Sequence, residues 1–140
     1  MSVIAALRRI AVHEERVARM ELVRAEQARE KQEQVVAQAT QAIDGALALG
    51  SQGPVDAHDH YYRHGYALRM EMTRRGAQQR LIEHDKAVGS RREAMSTASR
   101  SRGTLDRLVE QQEAAEATER QRTEQKHLDE TGLQGWWRRN

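Results

Sequence analysis

The chain has no cysteine, no phenylalanine and one proline. Lacking cysteine, it has no disulfide framework and no thiolate zinc site. Its aromatics are three tyrosines and two tryptophans, and much of its 38% hydrophobic content is alanine, which buries little area. A thin seam between helices suits that composition better than a thick core. No apolar run approaches the roughly 20 residues of a membrane helix. The opening Met1-Ser2-Val3-Ile4 lacks a basic segment followed by an apolar one, so no secretory signal is expected, and a cytoplasmic protein is. There is no P-loop glycine pattern, no HExxH and no pair of carboxylates set for a pocket, so no catalytic residue and no cofactor is expected.

What the chain does have is an excess of Ala, Glu, Gln and Arg, all favourable in helices. The one proline sits in Gly50-Ser51-Gln52-Gly53-Pro54, with two of the nine glycines. Glycine suits a helix end and proline a helix start. Ser2 is the expected cap of the first helix, and Asp56 or Gly53 of the second. The expected architecture is all-α: a long antiparallel two-helix coiled-coil hairpin with the longer helix second. As a single domain over 1–140 it would have a helix at 2–49, a turn at 50–56, a helix at 57–131 and a flexible tail at 132–140.

The apolar spacing predicts the seam. Ile4, Leu7, Ala11, Glu14, Ala18, Glu21, Ala25, Ala28, Gln32, Val35, Ala39, Ala42, Ala46 and Leu49 alternate three and four apart, and eleven of these fourteen are apolar. Val3, Ile10, Val17, Val36 and Ile43 are expected to widen this stripe. On the returning arm, Ala67, Met70, Arg74, Ala77, Leu81, His84, Val88, Arg91, Met95, Ala98, Arg102, Leu105 and Val109 keep the rule, nine of thirteen being apolar. The arginines would lay their stems on the seam. Gly65, Gly76, Gly89 and Gly103 interrupt this helix, through local softness or close approach of the opposite backbone. With a turn centred near Gln52, Ile4 lies level with about Arg100, and residues 103–130 overhang by roughly 40 Å. So polar a helix is marginal on its own in water.

All three tyrosines and three of the six histidines lie within residues 56–66. His60 and His64, four apart on a helix, could hold a metal with Asp56, but no further ligand pair supports them and no acid of the HExxH type stands between them. Tyr61, Tyr62, Tyr66 and Met70, beside Leu47 and Leu49, would otherwise form a contact patch, or simply cover the end of the hairpin. At the other end, Trp136 and Trp137 with their basic neighbours read as an interface anchor or as a disordered end.

Charge is uneven. Residues 55–107 carry eleven basic and seven acidic side chains, whereas residues 108–130 carry three and seven. Alternating blocks suit docking surfaces. A basic coiled coil that binds nucleic acid is the alternative from another class, since residues 69–102 hold nine basic and four acidic side chains. The acidic block and the lack of a recognisable reading module speak against it. A purely structural homodimeric coiled coil is a third possibility.

The run Glu124-Gln125-Lys126-His127-Leu128-Asp129-Glu130 resembles the closing motif of the flagellar FliJ proteins. The opening Leu7-Arg8-Arg9-Ile10, followed by Glu14-Glu15-Arg16, is similar to the starts of that family and of its virulence counterpart, the YscO-type stalk proteins of type III secretion. Gly132, Gly135, Trp136, Trp137, Arg138 and Arg139 depart from the usual flagellar tail, so a flagellum and an injectisome both stay open. The resemblance implies a stalk that enters a hexameric export ATPase, promotes its assembly and activity, and links it to a membrane-embedded export gate. It would work at the cytoplasmic face of the inner membrane, without inserting into it, and would also handle secretion chaperones. It implies an ATPase-binding end formed by Leu7, Arg8, Arg9, Arg120, Arg122, Gln125, Lys126, Leu128, Asp129 and Glu130. It implies a gate-binding tip formed by Tyr61, Tyr62, Tyr66 and Met70.

Overall fold

A computed structural model describes residues 3–50 and 56–140, with the side chains of Leu49 and Gly50 excepted. Ser2, the expected first cap, and residues 51–55, the middle of the expected turn, lie outside the described residues, as does the seam position of the Leu49 side chain. There are two helices, α1 (Val3–Gly50) and α2 (Ala57–Arg139), and no strand among the described residues. They pack against each other, and the second is the longer.

Asp56 stands at the capping position of α2, and its carbonyl accepts the first backbone bond, from His60 N–H at 3.0 Å. Asp59 lies in the first turn and Arg138 and Arg139 in the last, each sign placed where the helix dipole favours it. The helix does not stop at residue 131: it continues through Gly132 and Gly135 to Arg139. Glycine inside a helix costs about 1 kcal/mol but does not break it as proline would. In the last turn Arg139 Nε donates to the Gly135 carbonyl at 3.2 Å.

The packing divides into two units, both drawing on both helices: Met1–Glu15 with Thr97–Asn140, and Arg16–Ser96. In the second unit the helices are antiparallel, because partners on α2 fall in number as those on α1 rise. Arg91 Nη1 donates to Glu21 Oε2 at 2.7 Å, Arg29 pairs with Asp85, and Gln32 Nε2 donates to the Ala77 carbonyl at 3.0 Å. Ala39, Ile43, Ala67, Ala77 and Val88 are buried. The α2 column follows the sequence spacing through Ala67, Met70, Arg74, Ala77, Leu81, His84, Val88 and Met95, with only Arg91 exposed. On α1 the column through Ala18, Ala25, Gln32, Ala39 and Ala46 stands. Beside it Glu21, Ala28 and Ala42 are half-buried as the spacing predicts, Leu22, Arg29 and Val36 are half-buried next to them, and Ile43 is buried. Among the described α1 seam positions of this unit only Val35 is exposed; its neighbour Val36 turns inward instead.

The first unit is antiparallel as well. Arg8 Nε donates to Asp106 Oδ1 at 2.6 Å, and Arg102 Nη1 to Glu15 Oε1 at 3.2 Å. Ala11 and Glu15 are buried, whereas Glu14, expected in the seam, is exposed. Val3, Ile10 and Val17, expected to widen the stripe, are exposed too. The α2 column here runs through Ala98, Arg102, Leu105, Val109 and Gln112. Close approach of an opposing backbone does not explain the helical glycines. A Cβ at Gly89 or Gly103 would meet nothing within 4 Å, and one at Gly65 or Gly76 only an arginine tip of its own helix.

Candidate functional site

Two surfaces carry the candidate residues, one in each unit. In the first unit, Arg8 is level with Asp106, which puts Val3 level with about residue 111. This is some ten residues further along α2 than a turn centred at Gln52 implies. The remainder of α2, about 28 residues or some 40 Å, has no stretch of α1 beside it. From residue 113 to its end every side chain but Gly135 is exposed.

Seven of the ten residues expected at this end lie on that extension: Arg120, Arg122, Gln125, Lys126, Leu128, Asp129 and Glu130. They do not share a face. Arg122, Lys126 and Asp129 follow one another at helical spacing, Gln125 and Leu128 lie about a third of a turn away, and Arg120 is on the remaining side. Gln125 Nε2 donates to Asp129 Oδ1 at 3.1 Å, and Leu128 is 64% exposed. Residues 120–130 thus present mixed charge all round with one bare leucine, Leu128.

The structure does not bring Leu7, Arg8 and Arg9 beside these seven. Residue 106, level with Arg8, is separated from residues 120–130 by about 20–35 Å of helix. Arg8 is also engaged. Its hydrogen bond and its charge interaction with Asp106 hold the guanidinium above the ordinary arginine range. Arg9 likewise has a partner. Leu7 is 45% exposed, with Val3 and Ile10 exposed at helical spacing on either side of it.

In the second unit, Tyr61, Tyr62 and Tyr66 are exposed as expected of a contact patch, and Met70 is half-buried in the seam. The rings border two grooves. Tyr62 and Tyr66 form one wall of an apolar groove of about 410 Å³ whose other side is Ala42, Gly45 and Ala46. Tyr61 meets the Tyr62 ring edge to face with centroids 6.3 Å apart, and the two line a second groove of about 240 Å³ with Leu68; Leu68 and Met72 are exposed. Sequence reasoning missed Leu68 and Met72, although the seven- and four-residue steps from Tyr61 mark a second apolar stripe. The His60 and His64 rings stack with centroids 6.5 Å apart. Among the described residues no three His, Cys, Asp or Glu side chains are grouped to hold a metal ion.

Five of the nine basic side chains of residues 69–102 pair with acids. Arg74 and Arg75 pair with Glu71, Arg91 with Glu21, Arg92 with Glu26 and Arg102 with Glu15. A surface balanced in this way releases few counterions from a phosphate backbone, which counts against nucleic acid. Among the described residues no helix is long and apolar enough to cross a membrane.

A family model described as "Flagellar FliJ protein" matches residues 1–140, the whole chain. No curated protein and no solved structure gives a match.

Proposed function

The chain belongs to the FliJ family, structural stalk proteins of flagellar type III export rather than enzymes, and from that membership we propose that it is the central stalk of the export ATPase. In this reading the free stretch of α2 enters the ATPase hexamer and promotes its assembly and hydrolysis, and the tyrosine-bearing part of the second unit meets the export gate. Secretion chaperones are further partners.

The observation that carries the proposal is the length of α2 that has no α1 beside it. A polar helix left without a partner gains little from folding alone and is ordered by what surrounds it. Inside a ring, such a rod cannot touch six equivalent subunits alike. Each contact biases its own subunit between conformations, and that bias is a physical route to coupling. Arg120, Arg122, Lys126, Asp129 and Glu130 supply charges on several sides of the rod, and Leu128 an apolar contact. At the other surface, Tyr61, Tyr62 and Tyr66 are the exposed aromatic anchors, while Met70 positions them from the seam.

The test mixes the full chain with the export ATPase of the same organism and measures hexamer formation and ATP hydrolysis. The chain is expected to raise both. Charge reversal at Arg120 and Arg122 is expected to weaken the stimulation, whereas alanine at Tyr61 and Tyr62 leaves it intact and impairs export in cells. A folded chain with no effect on the ATPase would remove the stalk reading.

A further inference from the structure

The last turns of α2 hold both tryptophans of the chain, and they lie on the helix rather than on a loose end. Trp136 and Trp137 are 55% and 72% exposed, and their rings meet edge to face with centroids 5.4 Å apart. Leu133, three and four residues earlier, is 59% exposed on the same side. Two of the chain's five aromatic side chains and a leucine therefore stand bare in water, on a stretch that α1 does not reach. Removing such groups from water is favourable in proportion to the apolar area covered.

Charge along the axis narrows what covers them. Asp129 and Glu130 lie one turn before Leu133, on the side of the tryptophans, and Arg138 and Arg139 follow at the end. Carboxylates, apolar groups and guanidiniums thus succeed one another over about 14 Å of helix. A membrane surface does not match that order. Lying flat, the helix would set two carboxylates against anionic headgroups; entering end first, it would carry its arginines deepest. A nucleic acid meets the same carboxylates. A protein socket matches it, with a basic mouth, an apolar wall and an acidic floor.

We propose that Leu133, Trp136, Trp137, Arg138 and Arg139 form the anchor by which the chain seats in the export ATPase ring, in a socket of that charge order. This rests on the stalk reading and extends it beyond the residues that the family resemblance implied.

The two tryptophans make the end optically addressable. With both replaced by 5-hydroxytryptophan in the full chain, emission excited apart from the ATPase's own tryptophans reports on this turn alone. On addition of the ATPase the emission is expected to shift to the blue, and quenching by acrylamide to fall severalfold. Replacing Trp136 and Trp137 by alanine is expected to raise the dissociation constant about thirtyfold or more, as for paired aromatic anchors. Phenylalanine at both positions recovers most of the affinity, and R138E with R139E loses it again. Circular dichroism checks that the alanine variant keeps its helix. Binding of unchanged affinity with freely quenched emission would overturn the anchor while leaving the stalk reading in place. Failure of the unaltered chain to bind would remove both. A blue shift on phosphatidylserine-containing vesicles without the ATPase would assign the turn to lipid and overturn the socket.

Discussion

Arg102 of α2 donates to Glu15 of α1 at 3.2 Å, and Glu15 is the one buried charged side chain among the described residues, at 6% exposure. The pair joins the two helices of the first unit at a seam position. A buried carboxylate is tolerable only with partners, because its desolvation is not returned otherwise. Arg102 is itself 38% exposed, so solvent screens part of the attraction.

Removing the arginine therefore costs more than removing the pair. Arg102→Ala is expected to lower stability by about 1–2 kcal/mol, whereas Glu15→Leu with Arg102→Leu is neutral or stabilising. Urea unfolding followed by circular dichroism measures both. An unchanged midpoint for Arg102→Ala would show that the carboxylate does not depend on it.

Ile43 and Val35 mark the inner and outer sides of α1. Ile43 is 8% exposed and Val35 is 40% exposed. Ile43→Ala is expected to cost about 2–3 kcal/mol, and Val35→Ala no more than about 0.5 kcal/mol. Because the chain has no cysteine, single cysteines at the same two positions give an independent check: a thiol reagent labels position 35 faster than position 43. Equal rates would contradict the burial of Ile43 against Val35.

Most of the architecture was legible, and the exceptions share one cause. On α2 the column could be read because Met70, Leu81, Val88, Met95, Leu105 and Val109 are large and keep one unbroken three-four spacing, whereas Leu68, Met72, Ile82 and Leu108 fall off it and are exposed. On α1 alanine dominates, so the spacing alone does not show that Leu22, Arg29, Val36 and Ile43 share the seam with Glu21, Ala28 and Ala42, or that Val35 stays out of it. The partners across the seam, Arg29 with Asp85 or Gln32 with Ala77, depend on the axial offset of the helices, which local spacing does not encode. The same offset separates Arg8 from residues 120–130, so the composition of the candidate end could be read but not its division. The helix runs past residue 131 because Gly132 and Gly135, with no proline nearby, weaken it without ending it.

Gly89 and Gly103 lie within α2 with open space where a side chain would stand. Nothing in the packing compensates their cost in a helix. Gly89→Ala and Gly103→Ala are each expected to raise stability by up to about 1 kcal/mol. Thermal unfolding reads the gain. A loss at either site would mean that the missing side chain matters to the packing after all.

The pair of Arg8 with Asp106 fixes where α1 ends along α2. The hydrogen bond and charge of Asp106 raise the arginine pKa, and a group titrating higher when folded contributes fully below its unfolded pKa and loses that contribution only as pH rises through the folded one. On the alkaline side the pair therefore holds until arginine itself deprotonates. The pair is exposed, so salt screens it, and Arg8→Ala is expected to lower the urea midpoint only slightly, by an amount that shrinks as salt is added.

Beyond that pair α2 continues alone, and its stability there differs in kind. Amides around Ala77 and Val88, where the seam is buried, are expected to exchange slowest with deuterium. Amides of residues 113–139 have no seam to hold them and belong to a helix that is marginal in water, so they exchange with little protection in the isolated chain. Added export ATPase slows them, if the rod end is what the ring holds. Mass spectrometry on peptides from 113–125 and 126–139 separates the two halves: protection of both by the ATPase places the whole extension inside, and protection of the first half alone leaves Trp136 and Trp137 outside the ring. Strong protection of either half without the ATPase would mean that the extension is covered by something in the chain itself or by a second copy.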